Sequence, residues 1–559
     1  MTPQLRGGSR AAATKRPAAV ASRTREELWA LWQVARTGAL KPLPPQRLVA
    51  VSRSMRNYGP LGAAVTMAAA LHRDRTAVVD ERGALSFAEL EDRSNAVANT
   101  WHKRGLRAGD GVAILARNHR GFLDALFAAA KCGARIVLLN TDFGAPQIRD
   151  VLAREGADLL VHDDEFAHLA SDVTLRLGCT TAFSEHTVPD SLETAVGDGD
   201  SSPPPPPADH AKLVILTSGT TGTPKGAPRA ESRSLFPAGS LLSRVPFRAR
   251  EVTECCVPLF HALGFGHVML GLLLGSSLVL RRRFDARQTL DSLGAQRATA
   301  MIAVPVMLRR ILDLGPTSRS GLDLSALRIV FVAGSALGAT LCREAMDAFG
   351  PVLYNMYGST EVAYATIATP TDLTDEPGCV GRPVPGTIVK LLGDAGLEVP
   401  IGQRGRIFVG NGIQFDGYTD GAAKESIGGL LSSGDVGHFD SAGRLFVDGR
   451  DDDMIVSGAE NVFPAEVEET LSAHPQIREA AVVGVPDGQY GQRLRSFVAL
   501  RHDARLSEQD VRDYVRDRLA RFKVPRDVIF VEQLPRNPTG KVVKRLLSAD
   551  DREEIHNDQ

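Results

Sequence analysis

Residues 216–226, Leu-Thr-Ser-Gly-Thr-Thr-Gly-Thr-Pro-Lys-Gly, have the composition of a phosphate cradle. Eight of them are Gly, Ser or Thr, and Lys225 stands next to the end. They follow the apolar run Leu213-Val214-Ile215-Leu216, which reads as a buried strand. A strand that runs into Gly, short hydroxyl side chains and one Lys can wrap backbone N–H groups and small donors around phosphate. Thr217, Ser218, Gly219, Thr220, Thr221, Gly222 and Lys225 are the candidate contacts. The loop is not a Walker A motif, because Gly226 stands where that motif needs the metal-binding hydroxyl. A flexible connector is the alternative, and the ordered Thr-Pro-Lys-Gly ending argues against it.

The loop resembles the phosphate loop of the adenylate-forming enzymes, the superfamily of acyl-CoA synthetases, peptide-synthetase adenylation domains and luciferases. In that family it holds the ATP pyrophosphate while a carboxylate attacks the α-phosphate. Further motifs follow in the family's order, and the resemblance covers roughly residues 75–550. Tyr354-Asn355-Met356-Tyr357-Gly358-Ser359-Thr360-Glu361 is similar to the family's Tyr-Gly-x-Thr-Glu element. The resemblance implies that Tyr357 packs on adenine beside Gly358 and Ser359, that the Thr360 hydroxyl reaches the α-phosphate, and that Glu361 holds Mg²⁺. A hard oxygen ligand beside a phosphate donor is what Mg–ATP requires, since Mg²⁺ keeps most of its waters. Phe331-Val332-Ala333-Gly334-Ser335-Ala336-Leu337 reads as a strand ending in a small-residue turn. By resemblance, Gly334, Ser335 and Ala336 lie beside adenine.

Ser433-Gly434-Asp435 is similar to the family's Thr-Gly-Asp, with Ser in place of Thr. The resemblance gives Asp435 both ribose hydroxyls, a natural task for a carboxylate, and brings Arg450 to the same ribose. Pro258-Leu259-Phe260-His261 falls where the family has a His near the carboxylate substrate. His261 is therefore expected to line the acyl pocket and place the carboxylate or gate its entrance. Leu534-Pro535-Arg536-Asn537-Pro538-Thr539-Gly540-Lys541 resembles the C-terminal Pro-Arg-x-x-x-Gly-Lys motif, whose Lys bridges carboxylate and α-phosphate during adenylation. Residues 451–461 resemble the hinge and the segment after it, with Asp452 at the hinge position. In a second pose Ser457 and Gly458 would admit the pantetheine arm of CoA. Ala459 stands where the family commonly has a second Gly, and by resemblance its methyl would narrow that tunnel.

The size and charge of the chain suit such an enzyme. With 559 residues it needs two or more domains. A formal net charge of -1 gives no electrostatic case for nucleic acid. The six Cys form no CxxC and no zinc spacing, as expected of free thiols in a reducing compartment. No apolar run is long enough to span a bilayer, so a soluble cytoplasmic enzyme is expected.

The elements that must position these motifs alternate between strand and helix from Ala77 onward, which predicts a mainly parallel α/β sheet. After about Asp435 the texture changes to short strands and a small α+β unit. The division expected is an N-terminal extension (1–70), a large multi-subdomain α/β domain (71–449), a hinge (450–452) and a small mobile α+β C-terminal lid (453–550). Residues 1–22 are expected to be disordered; they are Arg-rich and acid-free like a transit peptide, but carry no cleavage signal. Thr24-Arg25-Glu26-Glu27 reads as a capping box opening a helix. Its stripe of Leu28, Leu31, Trp32 and Ala35, with Trp29 beside it, suits docking on its own domain or peripheral membrane contact through residues 24–40. Docking is the favoured reading.

Taken together, the resemblance implies ATP- and Mg²⁺-dependent activation of a carboxylic acid to acyl-AMP, then transfer to CoA. The segments expected to line the acyl pocket, around His261, 301–308 and 331–337, offer Ala, Gly, Val, Met and Leu, and no charged group to fix an α-amine. The wording of residues 535–541 is similar to fatty acyl-CoA synthetases, so a medium-to-long fatty acid is expected. A ligase that loads a carrier protein and a non-catalytic nucleotide-binding module are the alternatives.

Overall fold

The computed structural model describes residues 15–40, 44–217, 225–229, 234–415, 417–419, 423–451, 453–457, 460–487, 491–537 and 540–547. Of the residues singled out above, Ser218, Gly219, Thr220, Thr221, Gly222, Asp452, Gly458 and Ala459 lie outside these.

Two largely parallel sheets form the body. One has six strands in the order Cys179–Phe183, Ala157–Asp163, Gly111–Leu115, Arg135–Leu138, Lys212–Thr217 and Lys225–Arg229, with only the last pair antiparallel. The other has nine strands, with Val252–Cys255, Ala300–Ala303, Ile329–Val332 and Leu353–Ser359 as parallel neighbours at its centre. The strands Ala300–Ala303 and Ile329–Val332 are buried throughout, which is why they read as continuous apolar runs rather than alternating ones. A five-stranded sheet, antiparallel in every pairing, spans Ile388–Leu392 to Leu445–Arg450, and a separate five-stranded sheet runs from Ile455–Ser457 to Asp527–Phe530.

The small unit carries the helices Pro464–Ser472 and Glu508–Arg516. Ser507 caps the second through the reciprocal bonds its Ser-x-x-Asp spacing predicts. That helix stops before Leu519 and Phe522, and Phe522 ends half in solvent on a 3₁₀ turn, Arg521–Lys523. Among the described residues the small unit leans on the body at several places, including Phe463, which packs on Gly449 and under Arg404. Glu469 accepts the Ala339 N–H at 3.1 Å. Arg501 reaches Asp313 and Glu344, each at 3.8 Å. Gly540 packs on Val304 and Val306. The Pro203–Pro207 run lies mostly at the surface, and the chain is strapped down there: the Tyr58 hydroxyl donates to the Pro204 carbonyl at 2.6 Å, and Asn99 donates to the Asp200 and Ser202 carbonyls just before the run.

The N-terminal helix differs from expectation in extent and in orientation. It begins at Lys15 and runs to Arg36, so residues 15–22 are helical and Thr24 lies inside the helix rather than at its cap. The Ala-rich stretch before Thr24 has the propensity to extend it, and Pro17 is tolerated in the first turn. The helix docks on the helix Phe236–Arg244, but through the opposite face: Ala30, Gln33 and Val34 are buried, Trp29 meets Phe236 at 5.4 Å, and Glu27 accepts the Leu235 N–H. Leu28, Leu31 and Trp32 remain 61%, 41% and 53% exposed. Small residues decide which face goes in. A Cβ on Gly239 would stand 2.7 Å from Ala30 Cα, so the two helices cross at a distance that only Gly and Ala allow. Gly239→Ala is expected to cost about 1–3 kcal/mol through overpacking, lowering the unfolding midpoint and opening residues 24–40 to trypsin. Unchanged melting and unchanged protection would mean that this crossing does not hold the helix.

Candidate active site

Most of the described candidate residues gather where the central parallel strands end at their carboxyl side, the usual crevice of an open α/β sheet. His261 follows the strand Val252–Cys255, Val304 and Val306 follow Ala300–Ala303, Gly334 follows Ile329–Val332, and Tyr357 to Glu361 close the strand Leu353–Ser359. The neighbouring sheet contributes Thr217, the last residue of its strand, paired directly with Lys225 on the return strand.

Glu361 sits buried in the turn between the strands Leu353–Ser359 and Ala363–Ala368, with Thr360 before it. A bulge between Tyr357 and Gly358 bends the hairpin at this point. Gly358 is obligatory there, because a Cβ would lie 1.9 Å from the Ala363 carbonyl oxygen. Two hydroxyls hold the Glu361 carboxylate: Ser359 donates at 2.7 Å to one oxygen and Tyr418 donates at 2.7 Å to the other. Burial would raise this acid, but the Lys424 charge and the two hydroxyl donors outweigh it and hold the carboxyl below its ordinary value. The Lys225 ammonium lies 5.2 Å from the Tyr418 ring centre. Gly226 has a local reason as well: a Cβ there would meet Thr419 Oγ1 at 2.6 Å and Glu155 Oε1 at 2.9 Å. The Thr419 N–H in turn donates to the Gly226 carbonyl at 2.9 Å, tying the return strand to the segment that carries Tyr418.

Asp435 and Arg450 face each other across the antiparallel pair Leu430–Phe439 and Leu445–Arg450, 3.4 Å apart. Gly434, at φ +83°, leaves room for the guanidinium, whose Nη1 would lie 3.1 Å from a Cβ at that position. Ser433 accepts the Asp435 N–H at 3.1 Å and donates to the Ile407 carbonyl, so the hydroxyl of Ser keeps the aspartate in place. The Tyr357 hydroxyl donates to Asp435 at 2.5 Å, joining the two halves of the cluster. Burial, and then the Asp435 charge, push this phenol well above its ordinary value, so it remains a donor.

Gly334 and Ala336 are exposed at the surface of the crevice and Ser335 is half-buried. Gly334, at φ +95°, brings its bare Cα against Val304. Gly540, at φ +76°, fits on the same wall: a Cβ would stand 2.2 Å from Val306 Cγ1 and 3.2 Å from Val304 Cγ2. Lys541 is therefore set down beside Val306 by a turn that Asn537 closes, accepting the Lys541 N–H at 2.9 Å, while Arg536 anchors the turn to Glu479. The Lys541 side chain is exposed. His261 precedes the helix Ala262–Leu274; its Nε2 is shielded from solvent and has no partner among the described residues. Burial pushes this imidazole down to about 4, so the ring is neutral at neutral pH. Ser457 pairs with Gly491 inside the sheet of the small unit.

Tyr418 and Lys424 escape a reading of the sequence. Both lie in an irregular segment between strands, and only the Phe415-x-Gly-Tyr wording hints at an aromatic turn. Among the described residues no group of three or more His, Cys, Asp or Glu could hold a metal. A single carboxylate such as Glu361 fits Mg²⁺, which takes its remaining ligands from water and phosphate.

Comparison with known proteins gives the family. Residues 65–419 match the AMP-binding enzyme family, and residues 466–541 match the AMP-binding enzyme C-terminal domain. The chain is 34% identical over 499 residues to a feruloyl-CoA synthase of Amycolatopsis sp, covering 88% of this chain and 98% of that one. It is 30% identical over 485 residues to the fatty acid–[acyl-carrier-protein] ligase ScoC of Streptomyces coeruleorubidus, covering 84% and 92%. The anthranilate CoA ligase AuaEII, solved in complex with anthranoyl-AMP, superposes with a TM-score of 0.79 at 26% identity, covering 88% of this chain and 97% of that one. The chain belongs to the AMP-binding, adenylate-forming enzymes.

Proposed function

We propose that the protein is an AMP-forming acid–thiol ligase that activates an apolar monocarboxylic acid and passes it to CoA. The observation that carries this reading is the pairing of Glu361 and Asp435, each held by its own donors in one crevice, with Lys541 brought to that crevice by a separate small unit. In the first half-reaction a carboxylate oxygen attacks the α-phosphorus of ATP and the bond to pyrophosphate breaks. Thr217, Lys225 and residues 218–222 bind the departing phosphates. Asp435 and Arg450 fix the ribose, Tyr357 and residues 334–336 flank the base, and Thr360 reaches the α-phosphate. Glu361 would hold Mg²⁺, which neutralises charge on the phosphate oxygens when bound. Neutral His261 orients the incoming carboxylate without competing for it as a charge. Lys541 meets the charge that builds around the phosphorus. In the second half-reaction the small unit turns about residues 450–452, Lys541 withdraws, and the segment with Ser457 and Gly458 admits the thiol. The thiolate sulfur bonds to the acyl carbon and AMP leaves, so no covalent enzyme intermediate forms.

The acid is ring-bearing in this proposal. The apolar walls supplied by Val304, Val306 and Leu337 suit either an aromatic or an aliphatic acid. The relatives named for ferulate and anthranilate favour the former over the fatty acid that the wording of residues 535–541 suggests. A specific observation keeps a second reading: the relative ScoC is named for fatty acids and for a carrier protein as acceptor. Mass spectrometry of products from enzyme, Mg–ATP and a graded set of aromatic and fatty acids, with and without CoA, separates them. Aryl-CoA formed only with CoA is expected. Acyl-AMP that persists in CoA and is consumed by a carrier protein would replace the CoA reading, and turnover of fatty acids alone would replace the acid.

A further inference from the structure

The apolar stripe left bare by the N-terminal helix has a charged setting. Across residues 1–56 there are eleven Lys and Arg against two Glu, whereas the whole chain carries a formal net charge of -1, so the remainder is net acidic. On the helix Lys15–Arg36, Leu28, Leu31, Trp32 and Ala35 point away from the docked face and are exposed. Arg25 and Arg36 flank this stripe, also exposed, and the Arg36 guanidinium lies 4.7 Å over the Trp32 ring. Of the two acids, Glu27 turns inward to the Leu235 N–H. The next helix, Pro45–His72, begins in the same manner: residues 44–50 are all exposed, among them Leu48 and Val49, with Arg47 before them and Arg53 and Arg56 on the following turns.

We propose that this N-terminal face is a docking surface for an anionic lipid bilayer. Large aliphatic and indole side chains flanked by Arg25 and Arg36 form the amphipathic pattern that lies in the headgroup region, apolar side down. The charge favours one occupant. A bilayer with anionic lipid complements a segment with a large excess of Arg and Lys, whereas a second copy of this chain would set two such segments against each other. Nucleic acid would use the charge but would leave the Leu28–Leu31–Trp32 stripe in water. The helix is held to the body through its other face, so a bilayer can take the stripe without displacing anything from the fold. The surface holds the protein on a membrane rather than in one, for among the described residues no helix is long and apolar enough to cross.

The test is co-sedimentation of the full chain with vesicles of phosphatidylcholine alone and of phosphatidylcholine with phosphatidylglycerol, at low and high salt. Binding to the anionic vesicles is expected, weakening with salt, and falling at least about tenfold in Leu31→Glu/Trp32→Glu. Arg25→Gln/Arg36→Gln should weaken it less and flatten its salt dependence. Neither pair touches the crevice, so activation of a water-soluble acid is expected to be unchanged in both, which also reports that they fold. Failure to sediment with anionic vesicles, or equal sedimentation of Leu31→Glu/Trp32→Glu, overturns the proposal. A shift from dimer to monomer in that variant without loss of vesicle binding would overturn it in favour of a second copy.

Discussion

Lys541→Ala is expected to slow acyl-AMP formation, read as ATP–pyrophosphate exchange, by about 10²–10³-fold, while acyl-AMP supplied from outside is still converted to the thioester. Every contact described for this residue belongs to its backbone: Asn537 accepts its N–H, and its carbonyl accepts the Asn537 N–H. The side chain is exposed, so its removal takes away a charge and leaves the fold intact. What places the charge is the turn before it. Gly540 rests on Val306 with no room for a Cβ, and Arg536 both donates to the Gly540 carbonyl at 2.6 Å and pairs with Glu479. A long flexible stem on a tightly seated turn lets an ammonium enter the crevice in one pose and leave it in another. The split between half-reactions is the discriminating result. Equal loss of both would mean that Lys541 serves binding or folding, and no loss in either would remove it from the chemistry.

How much of this was legible depended on whether neighbours in space were neighbours in sequence. The element from Tyr354 to Glu361 could be read directly, because one strand and its turn carry Tyr357, Ser359 and Glu361 at alternate positions of one backbone. Asp435 and Arg450 could be read as two motifs, but their pairing comes from the register of an antiparallel ladder, which places them opposite each other. Tyr418 and Lys424 were invisible, since they come from an irregular segment whose position depends on Thr419 bonding to Gly226 and Glu155, two elements distant in sequence. The N-terminal helix shows the opposite difficulty. Residues 28–35, Leu-Trp-Ala-Leu-Trp-Gln-Val-Ala, are apolar on nearly every side, so periodicity offers two faces. The bulkier face looks like the buried one, yet close approach to Gly239 selects the face with Ala30. Side-chain size at a helix crossing is a tertiary fact, and no window of local sequence contains it.

Glu361→Gln should leave the fold intact and lower adenylation by about 10²-fold or more, with a much weaker apparent affinity for Mg²⁺. The substitution keeps volume, and each of its neighbours can adapt. Ser359 and Tyr418 now donate to the two carboxylate oxygens; facing an amide, one hydroxyl continues to donate and the other turns its lone pair to the new N–H₂. No buried polar group is orphaned, so the loss is that of the charge alone. The milder variant Tyr418→Phe removes one donor and is expected to cost about tenfold. It also carries a pH signature whose sign follows from the structure. In the native protein Glu361 is held below its ordinary value, so its charge is present through neutral and mildly acidic pH and is lost only as pH falls through that depressed value. Removing the Tyr418 hydroxyl takes away one of the groups that depress it, so the acid limb of the Mg²⁺-dependent rate should move to higher pH. Assays of exchange against Mg²⁺ and pH read all of this at once. Unaltered Mg²⁺ dependence in Glu361→Gln would mean that phosphate and water hold the ion without it, and that the two hydroxyls serve only to close a hairpin.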